Sequence, residues 1–111
     1  DMAGSDLFTG SLDLLILKSL TWGERHGYAV GQWIRQSTSE ALSIKEGALY
    51  PALHRLERKG FVAEAWGVTD SNRAAKFYSL TAEGRQQLRL ELSRWNTYAR
   101  VMHAALTASR A

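Results

Sequence analysis

Hydrophobic and polar positions change their rhythm several times along this chain, and each change marks an element. Leu12, Leu15, Ile16 and Leu20 recur at the spacing of one helix face. They predict a first helix from Thr9 or Ser11 to about Trp22, stopped by Gly23. The short turn GERH leads to a second helix over about 27–37, with Tyr28, Val30, Trp33 and Ile34 as its buried positions. Gly23, Gly27 and Gly31 form a small-residue ladder. In a membrane such a ladder pairs helices; in a chain without an apolar span it marks a turn and a close helix crossing.

The next stretch, KEGALYPALHRLERKG over 45–60, keeps helical spacing through Leu49, Leu53 and Leu56. Gly47 and Pro51 stand inside it, although both disfavour helix interiors. Ser43 and Glu46 have the S-x-x-E spacing of a capping box, which predicts a start at Ser43. Gly60, just past Arg58 and Lys59, predicts the stop. Pro51 has no amide for the Gly47 carbonyl, so a bend in the first turn is expected, with Tyr50 presented beside it.

FVAEAWGV then alternates, TDSNR is turn chemistry, and AAKFYSLT is rich in strand formers, so the pair predicts a β-hairpin. Thr81 caps a final helix reaching about Thr107, roughly 40 Å long. In it Leu88, Leu92, Trp95, Ala99, Met102 and Leu106 follow one another at alternating steps of four and three. That repeat is the seam of a coiled coil, and it predicts a homodimer interface. The alternative is that its first part packs on the rest of the chain and only its end is free.

Helix, helix, helix, hairpin, long helix is the order of a winged helix-turn-helix. The fold class expected is mainly α with a small β-hairpin. A winged domain over 8–80 carries a C-terminal dimerisation helix over 81–108, with tails at 1–7 and 109–111.

Composition narrows the chemistry. A hydrophobic share of 45% and four tryptophans supply a core. No run of about 18 apolar residues predicts a membrane span. The start, DMAGSDLFTG, lacks the regions of a signal peptide. The 111 residues include no cysteine, which removes disulfides, thiolate chemistry and cysteine metal sites and fits a cytoplasmic location. His26, His54 and His103 fall in different elements without ligand spacing, so no metal is expected. No P-loop, G-x-S-x-G or G-x-G-x-x-G run occurs. Neither an enzyme nor a cofactor is expected.

Charge is uneven. Residues 1–42 carry three basic and five acidic side chains, residues 43–80 six and four, residues 81–111 five and two. The basic second half could meet an anionic polymer. With its leucines inward, the third helix presents Tyr50, His54 and Arg58 outward, Lys45 at its N-terminal end, and Arg55 and Lys59 at the flanks. Hydroxyl, imidazole and cations on one side suit phosphates and base edges of double-stranded DNA. Arg73 at the hairpin tip suits a minor groove, and Lys76 a phosphate. The plainer alternative is a solvated helix side and a polar turn. In the last helix, bulky Trp95 beside small Ala99 can leave a gap at a dimer axis, where a planar hydrophobic small molecule could stack. A tryptophan simply filling the interface is the alternative.

HGYAV (26–30), GALYPALHRLERKG (47–60), WG (66–67) and KFYSLTAEGR (76–85) have a known pattern. On these the chain resembles the PadR family of bacterial transcriptional regulators over about residues 8–107. The single long last helix resembles the family's short form. The resemblance implies a cytoplasmic homodimer that represses its promoter and lets go on a ligand or signal. It implies DNA contacts from Tyr50, His54, Arg73 and Lys76. Trp95 matches the position at which multidrug-sensing, LmrR-like members stack planar drugs. The wing departs from the family, reading NRAAK where a basic run is common and holding Ser79 where arginine is common. Fewer phosphate contacts imply weaker binding and a shallower salt dependence. The runner-up function is a winged helix for protein–protein contact through the acidic first half.

Overall fold

The computed structural model describes residues 9–110; the tail expected at 1–7 lies outside them. Helix α1 is Thr9–Ser19, strand β1 Arg25–His26, α2 Gly27–Ser37 and α3 Glu46–Arg58; β2 is Val62–Val68, β3 Ala74–Leu80 and α4 Ala82–Leu106. Leu12, Ile16, Leu17 and Leu20 of the first helical segment meet Val30 and Ile34 of α2 and Leu49, Leu53 and Leu56 of α3 in one core. Each fully buried leucine or isoleucine contributes about 2 kcal/mol. Val62 and Tyr78 close that core from the sheet.

Three elements, α1, β1 and α3, differ from the sequence reading. Helix α1 stops at Ser19 rather than Trp22, and its last turn tightens, with the Leu20 amide donating to Leu17 O at 3.2 Å. The expected GERH turn contains β1, which pairs antiparallel with β3, Arg25 opposite Tyr78 and His26 opposite Phe77. The hairpin is therefore part of a three-stranded sheet of order β1-β3-β2. Arg25 Nε holds β1 in place by donating to Ser19 O at 2.8 Å. A two-residue strand has no alternation to detect, so its pairing was not legible.

The capping box is not formed. Helix α3 begins at Glu46, its N-cap is Lys45, and no side chain caps it. Ser43 lies too far upstream. Ile44 and Leu49 instead occupy the N′ and N4 positions of a hydrophobic staple, and both pack on the core. Packing of Ile44, rather than the Ser43 hydroxyl, sets the angle at which the chain enters. The helix continues through the exposed Pro51. It ends as expected at Gly60, in a Schellman arrangement: Phe61 N donates to Leu56 O at 3.0 Å and Gly60 N to Glu57 O at 3.0 Å. Gly60 has φ +81°, the left-handed region.

Helix α4 starts on this same corner. Thr81 Oγ1 accepts from Gly84 N at 2.9 Å and donates to Gly60 O at 2.6 Å. Gly84 lies against the Phe61 carbonyl so closely that a Cβ would overlap it. Leu88 then enters the core at 9% exposure. It belongs to the chain's own packing and is unavailable to the expected seam, so the free apolar face starts further along. Beyond it α4 runs away from the core, in a molecule measuring 60 × 29 × 22 Å.

Candidate nucleic-acid interface

A cleft of about 810 Å³ separates the wing, β2 and β3, from the N-terminal end of α2 and the outer face of α3. Tyr50 and His54 line one wall; Trp66, Arg73 and Lys76 line the other. Local structure places each of them. Gly27 and Gly31 let α2 approach α3 closely: a Cβ on Gly27 would meet the Tyr50 ring at 2.6 Å, and one on Gly31 would meet Leu49 at 3.4 Å. That is the close crossing expected of the glycine ladder. Tyr50 is thereby half-buried, and burial first, then the Glu46 carboxylate, pushes its phenol above the ordinary value. The hydroxyl keeps its proton and remains a donor. His54 and Arg58 are exposed, and Lys45 is exposed at the uncapped N-terminus of α3.

The wing tip is a built turn. Thr69 N donates to Arg73 O at 2.9 Å, Asn72 N to Thr69 O at 2.8 Å, and Arg73 N to Thr69 Oγ1 at 3.2 Å. Asn72 takes the left-handed conformation at φ 62°, which asparagine tolerates better than most residues. Arg73 leaves this turn exposed.

Two expected contacts are engaged elsewhere. Arg55 donates from Nη2 to Asp13 Oδ1 of α1 at 2.5 Å. That ion pair ties α3 to α1 and turns Arg55 away from the cleft. Lys76 is expected free for phosphate but donates to Glu64 Oε1 at 2.9 Å. Glu64 pushes the Lys76 ammonium above its ordinary value, through the hydrogen bond first and the opposite charge second.

Tyr28 is a correction of a different kind. It is 60% exposed rather than buried and stacks parallel on His26, with ring centres 6.4 Å apart. Two residues from buried Val30, it lies about 200° around the helix, so the 3.6-residue period itself puts it outside. Trp33 is half-buried, its ring 5.7 Å from that of the exposed Trp22. Sequence reasoning also missed His26, Tyr28 and Trp66 as cleft residues. Trp66 shares strand parity with Glu64, and that alternation was the available signal.

On α4 the side chains of Leu92, Trp95, Tyr98, Val101, Met102 and Leu106 are exposed. Trp95 leans towards the start of α1, where it, Tyr98, Glu91, Arg94, Gly10, Ser11 and Leu14 form a recess of about 250 Å³. The Trp95 and Tyr98 rings are tilted at 42° with centres 6.1 Å apart. Ala99 lies outside this recess. Among the described residues no cluster of three or more His, Asp or Glu could hold a metal, and no helix is long and apolar enough to cross a membrane.

The model of the transcriptional regulator PadR-like family matches residues 16–90. This chain belongs to that family. It is therefore a transcriptional regulator by family and not an enzyme. The negative transcriptional regulator PadR of Bacillus subtilis is 30% identical over 77 residues, which cover 69% of this chain and 42% of that one. A transcriptional regulator of Clostridium thermocellum has the same fold at TM-score 0.80 and 31% identity, over 89% of this chain and 96% of its own. A PadR family transcription regulator of Clostridium difficile aligns at TM-score 0.74 and 31% identity, over 86% and 97%. The PadR match contains every cleft residue and stops before Trp95.

Proposed function

We propose that this PadR-family regulator binds double-stranded DNA as a homodimer in the cytoplasm and represses transcription until a small effector or another signal releases it. One observation carries the reading: α3 presents Tyr50 and His54 across an open cleft from a wing that presents Arg73, and Arg58 is exposed one turn further along the helix. A helix of this kind enters a major groove while the wing follows the neighbouring minor groove. The uncapped N-terminus of α3 offers amide donors to a phosphate, and Lys45 stands beside it. With Arg55 and Lys76 engaged elsewhere, Lys45, Tyr50, His54, Arg58 and Arg73 make up the direct contacts. Duplex binding by the wild type and its loss in a Lys45→Ala, Tyr50→Ala, Arg73→Ala variant test this reading.

The exposed apolar face of α4 supports the dimer, since an uncovered face of that extent is unfavourable in water. A two-fold dimer would place two α3 helices on two half-sites of a palindrome. The recess beside Trp95 supports a planar apolar effector that stacks on the indole. A planar cationic dye is expected to quench tryptophan fluorescence in the wild type and not in Trp95→Ala; equal binding by the variant contradicts the effector site.

A further inference from the structure

The Lys76–Glu64 bond follows from strand register. Glu64 stands opposite Tyr78, and Trp66 stands opposite Lys76. Glu64 and Lys76 are therefore diagonal neighbours on one face of the wing, the face turned to α3. The Lys76 ammonium also lies 5.7 Å from the centre of the Trp66 ring, so a carboxylate and an indole hold it together. The second carboxylate oxygen, Glu64 Oε2, is buried without a hydrogen-bond partner. Leaving such an oxygen unpaired is costly. The carboxylate thus contributes one charge-assisted bond to Lys76 and gains nothing further from the fold.

We propose that Glu64 is an affinity-setting residue of the DNA interface: it holds Lys76 against the wing and cancels its charge, so that DNA binds more weakly than the wing's cations alone would dictate. The proposal rests on the DNA-binding reading above. For Lys76 to reach a phosphate in the wild type, its bond to Glu64 must break, and a bare carboxylate is then left beside the DNA backbone. Glu57 of α3 adds to the negative potential around Lys76, and Asp70 of the wing tip lines the same cleft. The wing has few cations in reserve, because Ala74 and Ala75 precede Lys76. One carboxylate is therefore enough to remove a large share of the wing's attraction for phosphate. Replacing its charge without changing its shape frees one cation, and each phosphate so neutralised steepens the salt dependence by about 0.9.

The test uses the full chain and a fluorescein-labelled duplex of random sequence, whose binding is governed by phosphate contacts. Anisotropy is followed across a potassium chloride series for the wild type, Glu64→Gln, Lys76→Ala and the double variant. Glu64→Gln is expected to bind roughly tenfold tighter at low salt, with a slope steeper by about 0.9 per protomer. In the Lys76→Ala background the same change should leave the slope where it is. Glu64→Met, which also removes the charge, should reproduce the steeper slope, and thermal melting checks that each variant is folded. An unaltered slope in Glu64→Gln, or equal steepening without Lys76, overturns the proposal while wild-type binding upholds the DNA reading. No binding by any of the proteins overturns both.

Discussion

Gly84 shows how one missing side chain seats a whole helix. Its amide is capped by Thr81, and its α-carbon lies against the Phe61 carbonyl where a methyl group has no room. Gly60, on the same corner, has open space around it but a left-handed φ of +81°. The two glycines are therefore needed for different reasons. Gly84→Ala is expected to lower unfolding stability by about 3 kcal/mol through overpacking. Gly60→Ala should cost about 1 kcal/mol through backbone strain alone. Urea unfolding separates them; equal losses would contradict this account of the corner. At this scale the sequence was partly legible. Thr81 as a cap could be read from a threonine standing just before an apolar repeat, because capping is local. The Phe61 contact of Gly84 and the Asp13 partner of Arg55 could not, because both reach across the chain.

Among elements, α4 was the most legible. Its N-cap at Thr81 and C-cap at Thr107 match the expectation, because cap chemistry and a regular repeat are written in consecutive residues. The first member of the repeat, Leu88, went to the core, since α4 must pack on α1 before it can leave the domain. The start of α3 shows the opposite outcome. S-x-x-E was present at Ser43 and Glu46, yet the buried side of Ile44 decided where the helix begins. Tertiary packing outweighed a local capping signal worth about 1 kcal/mol. The exposed positions of α4 carry the prediction at this scale. Leu92→Glu combined with Met102→Glu should yield monomers by sedimentation, with the helical circular dichroism retained, because neither side chain is buried in the protomer. A dimer surviving both charges would contradict the seam.

For the whole molecule, element order alone pointed to a winged helix-turn-helix, and the family match and solved relatives agree with it. The third strand was hidden because β1 is two residues long and pairs with a strand far along the chain. The cleft was legible on its α3 side, where helical spacing separates the core leucines from Tyr50 and His54. It was less legible on the wing, where an ion pair that no spacing rule reveals occupies Lys76. The central claim is that α3 and the wing, on either side of this cleft, bind duplex DNA, and binding measured against salt tests it most directly. A duplex selected from a random library by the wild type should bind the Lys45→Ala, Tyr50→Ala, Arg73→Ala variant roughly a hundredfold more weakly at low salt. With two cations gone, the salt slope should be shallower by about 1.8 per protomer. A wild type that binds no duplex at low salt, or a variant with the wild-type affinity and slope, would contradict the account.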